Sequence, residues 1–308
     1  YNSTNTTLIL TQNSGNPNYG IGTYVKITFV KYKAPPSTRP TNPITFTVYE
    51  YGYSKMTASG TVTAVANNYT LTVVPSSTTV NAFTTYTFTI TMTDPLTSSG
   101  YIQITLDPKL CATERQIQTI TSNLSISVSA TNINPTPSTQ ITTTTINSTP
   151  TYSLLINNLN TSASNIPAQT LTISIANLLN CPAVCTLTTF LLSTYYTSSS
   201  IDLVANAAYT GSITLQSGII NLLSASTTAT TTYTFSTLTL TFSNQNPILT
   251  NGYIVLLFPT DLQVRTVYSG TLAVGGSQIS ALSTNFPTNN SMTFQLSTPI
   301  NAASTITI

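Results

Sequence analysis

Three cysteines and six carboxylates carry most of the reactive or metal-binding chemistry open to this 308-residue chain, which contains no His and no Trp. The lack of His removes the commonest general base and every His-ligated metal centre, and the lack of Trp removes the commonest sugar-stacking side chain. Cys111, Cys181 and Cys185 are too widely spaced for a zinc site and lack a fourth ligand. A disulfide of Cys111 with Cys185 or Cys181 is the favoured reading, closing a loop of about 70 residues for roughly 4 kcal/mol on the chain-entropy model. The rival is a short Cys181–Cys185 bridge inside NCPAVC, and either pairing leaves one thiol free or available to a second chain. Glu50, Asp94, Asp107, Glu114, Asp202 and Asp261 are isolated in sequence, whereas a calcium site needs several oxygens converging on one point. A glycosidase pair would have to assemble across the fold. Asp107 and Asp261 stand near the ends of similar apolar runs, where an Asp caps a turn. No catalytic residue, cofactor-binding residue or metal ligand set is expected, and the chain reads as a non-enzyme without a cofactor.

Such sparse chemistry belongs to an unusual surface. Charged residues make up 5% of the chain, against about 25% in ordinary soluble domains. In their place stand 66 Thr, 36 Ser and 28 Asn, with 40% hydrophobic residues and a net charge of +2. Eight scattered basic residues leave no footprint for nucleic acid, which requires clustered cations. The one local group, Lys26, Lys31, Lys33 and Arg39, reads as a strand edge protected from pairing by charge. No apolar stretch approaches 18 residues, and no basic segment followed by an apolar one opens the chain. A mature segment or fragment without a membrane span is therefore expected.

Sequons for N-glycosylation occur at Asn2, Asn5, Asn68, Asn123, Asn147, Asn160 and Asn289. Ser37, Thr38, Ser76, Ser77, Thr136, Ser138 and Thr139 lie beside prolines in hydroxyl-rich loops that suit O-glycans. A glycan coat would keep an almost uncharged surface soluble.

The elements that must position these residues are strands. Disorder is argued against by 17 Tyr and 10 Phe, which alternate with hydroxyl residues in runs such as YTFTITMT from Tyr86. The same period of two marks ITFTVYEY, YIQITLD, LTISIA and YIVLLFP, with Pro-, Gly- and Asn-bearing turns between them. Strands are expected near 69–74, 84–93, 100–106, 115–130 with a break, 139–146, 151–157, 169–176, 187–196 and 200–205. No segment of 12 residues shows a convincing helical period. The class is all-β, in the form of tandem Ig-like β-sandwich domains.

Self-similarity sets the organisation. Tyr86 and Gly100 align with Tyr233 and Gly252, Asn2 with Asn147, and Phe46 with Phe190, giving a repeat period near 147 residues. On this reading residues 1–67 are the C-terminal part of one β-sandwich repeat, 68–210 a complete repeat, and 211–308 the N-terminal part of a third. Faces left bare by the partial units must be covered, by a longer chain or by a second copy.

The run YTLTVVPSSTTVNAFTTYTFTITMTDPLTSSGYIQITLDPKL from Tyr69 resembles the tandem β-sandwich repeats of very large surface proteins of ciliates and related protists. The likeness lies in the order of pieces: PSS, TTYTFT, an apolar-Pro turn, Gly-Tyr-Ile. It implies an extracellular or cell-surface structural glycoprotein, the protein core of a fibril, appendage or surface coat. Its partners would be itself and covalent glycans. The alternative is an adhesin or carbohydrate-binding module, in which the tyrosines would supply sugar platforms.

Overall fold

Alternation of apolar and hydroxyl side chains makes a strand wherever one face finds a core. In Phe83–Thr91 the residues Thr84, Tyr86, Phe88 and Ile90 are buried, while Thr85, Thr87 and Thr89 between them are only partly covered. A computed structural model describes residues 26–28, 34–50, 53–146, 149–159, 165–197, 202–231, 236–259, 271–279, 281–285 and 291–308. The chain forms two compact units, Tyr1–Ala34 and Pro35–Ile308, and the elements below all belong to the second.

Strands β1 (Ile44–Glu50) and β2 (Tyr53–Gly60) form an antiparallel hairpin. There follow β3 (Asn67–Asn68), β4 (Leu71–Pro75), β5 (Phe83–Thr91) and β6 (Tyr101–Thr105). A 3-10 turn at Pro108–Cys111 leads to α1 (Glu114–Ser122), then β7 (Ser125–Ser129), β8 (Ser138–Ile146), β9 (Thr149–Asn157) and β10 (Thr170–Leu179). Next come β11 (Thr186–Leu187), β12 (Leu191–Tyr195), β13 (Leu203–Ala208) and β14 (Ile213–Thr214). The last group is β15 (Ile220–Thr227), β16 (Leu238–Asn244), β17 (Tyr253–Leu257), β18 (Leu272–Val274), β19 (Ser277–Ile279), β20 (Ala281–Asn285), β21 (Ser291–Leu296) and β22 (Thr305–Thr307).

The protein is mostly β, as its alternation predicts. A four-stranded sheet, β4–β5–β10–β7, and a six-stranded sheet, β3–β13–β12–β6–β9–β8, share one apolar core. Phe88 of the first meets Phe190, just before β12, edge-on at 5.7 Å between ring centroids. A second, smaller core around Phe242, Phe294 and Ile306 lies between β15–β16–β22–β18–β19 and β17–β21–β20.

The expected strand at 115–130 is corrected in its first half. Residues Glu114–Ser122 are helical because Thr113 caps them: its side chain accepts from the Gln116 backbone N–H, and the Gln116 side chain accepts from the Thr113 N–H. This T-x-x-Q capping box closes two N–H groups that a helix start leaves open. Ile120 and Gln116 then turn inward, and Gln116 Nε2 donates to the carbonyls of Lys109 and Leu179. The strand resumes at Ser125, where β7 pairs with β10.

Candidate functional site: buried staples and open strand edges

The cysteines correct one expectation. Cys181 and Cys185 are joined, with Cα atoms 6.6 Å apart, and Cys111 is a free, buried thiol. The long bridge from Cys111 is not made, because the turn that ends β10 already brings Cys181 and Cys185 within bridging distance of each other. Cys111 ends the 3-10 turn and points its Sγ at the Asp107 carbonyl oxygen, 3.8 Å away. Burial pushes its thiol up to about 11, so it is un-ionised and unreactive near neutral pH.

The described carboxylates act as staples. Asp107 is buried; one oxygen accepts from the Lys109 N–H at 2.9 Å and the other from the N–H groups of Thr188 and Thr189 at 2.7 and 2.9 Å. It thus caps the turn after β6 and ties it to the segment entering β12. Asp94 accepts from Asn67 Nδ2 at 2.6 Å and from the Tyr69 hydroxyl at 3.1 Å. Asp202 is buried beside Arg39, whose Nε lies 2.8 Å from it, and also accepts from Ser37 and Thr197. Arg39 therefore fastens the segment before β1 to the start of β13, a link that isolated charges in the sequence did not announce. Glu114 occupies the first turn of α1, where the helix dipole favours an acid. Glu50 ends β1. Asp261, Lys31 and Lys33 lie outside the described residues. Among the described residues no three potential metal ligands of the His, Cys, Asp and Glu types converge.

Of the sequons, Asn68 and Asn123 are described and both are exposed, Asn68 in β3 and Asn123 at the C-cap of α1. Asn2, Asn5, Asn147, Asn160 and Asn289 lie outside the described residues. Ser76, Thr136, Ser138 and Thr139 are exposed, and Thr38 and Ser77 are partly covered. Ser37 is buried on Asp202, an environment that leaves no room for a glycan.

What the surface does offer is strand edge and apolar face. In the six-stranded sheet β6 is paired on both sides, with β12 and with β9. Tyr101 of β6 and Tyr195 of β12 stack at 4.4 Å between ring centroids. In the three-stranded sheet β17 pairs, among the described residues, with β21 alone. Its outward residues Tyr253, Val255 and Leu257 are 62%, 54% and 79% exposed. The β1–β2 hairpin has no sheet partner among the described residues, and Phe46, Tyr49, Tyr53 and Met56 on it are all more than half exposed. Strand β15 adds Ile220 and Leu222, each 65% exposed. Among the described residues no helix is long and apolar enough to cross a membrane. No family model matches the chain, and no curated protein matches it.

Proposed function

We propose that this chain is a segment of an extracellular structural glycoprotein, built from tandem Ig-like sandwich repeats and assembled into a fibril or surface coat. The observation that carries the reading is a recurring pairing order. β4–β5–β10–β7 is followed along the chain by β15–β16–β22–β18, and β6–β9–β8 by β17–β21–β20. The isolated bridge Leu96–Ile166 has a counterpart in Ile248–Ile300, 152 and 134 residues further on, offsets that bracket the period of about 147. The β1–β2 hairpin corresponds in the same way to β12–β13, with Phe46 in the place of Phe190.

Glycosylation is supported by the exposure of Asn68 and Asn123, and an oxidising compartment by the Cys181–Cys185 bridge. The resemblance to protist surface repeats, the absence of catalysis and the division at 67/68 and 210/211 belong to the same proposal. Its test is natively isolated material: filaments in electron micrographs, and an intact mass for this span above 32.8 kDa by at least three N-glycans. Unmodified mass and separate particles would refute it. The adhesin reading draws on the exposed rings of Tyr49, Tyr53 and Tyr253. Selective retention of one sugar on a glycan array would favour it.

A further inference from the structure

We propose that an N-linked glycan on Asn68 lies along the six-stranded sheet, on the face turned away from the core, held there by a row of side-chain amides. The proposal rests on the glycoprotein reading and names one sequon that carries a sugar chain and what that chain touches. Ile102, Ile104, Leu154 and Leu192 of this sheet belong to the apolar core. Their neighbours along the strands, Gln103, Leu155 and Ser193, therefore point the other way.

The strand registers set one row straight across that face. Asn68 of β3 pairs with Asn206 of β13, Asn206 with Ser193 of β12, and Ser193 with Gln103 of β6. Gln103 pairs in turn with Leu155 of β9, and Leu155 with Gln140 of β8. Residues paired in register project to the same face, and six strands at about 4.8 Å spacing make the row about 24 Å long. Four of its six residues are amides, and none is charged. Asn206 Oδ1 accepts from the Ser193 hydroxyl at 2.8 Å. The side-chain amides of Asn68, Gln103 and Gln140 take no hydrogen-bond partner among the described residues, and Asn68 and Gln140 are exposed. Two residues along β6 and β12, about 6.6 Å away, the stacked rings of Tyr101 and Tyr195 border the row.

Unpaired amides in an uncharged row suit a neutral, hydroxyl-rich ligand, because each offers two donors and an acceptor to sugar hydroxyls and acetamido groups. The tyrosine pair adds an apolar flank with hydroxyl tips. The occupant is the chain's own sugar because its attachment point is the first residue of the row. Asn68-Tyr69-Thr70 is a sequon in which Asn68 and Thr70 are exposed and Tyr69 between them is buried. A glycan tethered there is held at high effective concentration over the remaining amides. In the transfer, Asn68 Nδ2 bonds to C1 of an oligosaccharide carried on a lipid diphosphate; the amide gives up one proton and the lipid diphosphate leaves. Asn123, at the C-cap of α1, lies outside this sheet and serves as an internal control.

The experiment uses the full chain, secreted by a eukaryotic host that builds oligomannose glycans. Without denaturant it is treated with an endoglycosidase that cuts between the first two sugars, and release is followed site by site by mass spectrometry. The wild-type chain is compared with a Gln103→Ala, Gln140→Ala double variant, which removes two amides that bond to nothing else among the described residues. Release at Asn68 should be about tenfold slower from the wild type, the ratio that about 1.4 kcal/mol of packing yields. The two chains should release it at the same rate once unfolded, and any Asn123 glycan should leave both at one rate. Equal native rates at Asn68 overturn the proposal, because the backbone of β3 alone then sets access. A rise of equal size at Asn68 and Asn123 marks general loosening and also overturns it. Asn68 bare while other sequons are occupied overturns it and leaves the glycoprotein reading standing. That reading fails separately, if natively isolated material has the unmodified mass.

Discussion

Tyr69 keeps its phenolic proton up to about pH 12, first because burial disfavours the phenolate and then because the Asp94 carboxylate lies 3.1 Å from its hydroxyl. Tyr86, buried with its hydroxyl on Asn180 Oδ1 at 2.6 Å, is shifted upward as well, by burial and then by Asp107. Between an unfolded value of 10.0 and the raised folded value, the native state holds protons the unfolded chain has released. Cys111, raised from 9.0 to about 11, acts in the same direction, so stability must be intact below pH 9 and fall as pH rises from 9 towards 12. With no His to titrate, it should be flat between pH 6 and 8. Thermal melts across pH 6–12 test both, and Tyr69→Phe should make the alkaline slope shallower. The bridge makes a second prediction. Closing only the Cys181–Cys185 loop is worth about 2 kcal/mol on the chain-entropy model, half of what the long loop would supply. Replacing both cysteines by Ser should cost about that much in denaturant melts, and Cys111 should be alkylated only after unfolding.

Hydroxyl pairing takes the place of charge between the strands. Thr91 and Thr170 meet across β5–β10 at 3.1 Å, Thr105 and Ser153 across β6–β9 at 2.9 Å, and Thr241 and Thr307 across β16–β22 at 3.4 Å. Each such pair stabilises its ladder by a few tenths of a kcal/mol to about 1 kcal/mol, which is why a Thr-rich chain folds as sheet. Gly100 precedes β6 because a methyl there would lie 2.6 Å from the Tyr195 carbonyl oxygen and 2.8 Å from Leu96. Gly252 precedes β17 for the same kind of reason, facing Ile248 at 2.8 Å. Gly100→Ala should lower stability by about 1–3 kcal/mol through overpacking, and Thr113→Ala by about 1 kcal/mol through loss of the α1 cap, both read by chemical denaturation. Strands β4, β5, β6, β8, β9, β10, β12 and β13 were legible in the sequence because period-two alternation is a local property. The helix was not, since ERQIQTITS carries only two apolar residues, Ile117 and Ile120, too few to mark a helical period, and its cap is what distinguishes it. Nor were the Arg39–Asp202 staple and the Asn180 cradle, where Nδ2 donates to the carbonyls of Ser77 and Thr79 at 3.0 and 2.8 Å. These join residues more than 100 positions apart, and nothing local marks them.

At the scale of the whole molecule, the contrast lies between a closed central core and bare flanks. Phe88, Ile102, Leu154 and Ile173 are fully buried, whereas Tyr49, Met56, Leu222 and Leu257 stand in solvent. Covering each such side chain is worth roughly 1.5–3 kcal/mol if burial is complete, so under the proposed fibril reading the exposed flanks would supply a driving force for assembly that a scarcely charged surface would oppose little. The most direct test of the fibril account is negative-stain electron microscopy of material isolated from its native source. The account predicts filaments or a continuous coat in which this chain recurs along the length. Dispersed compact particles, with no larger assembly at any concentration, would contradict it.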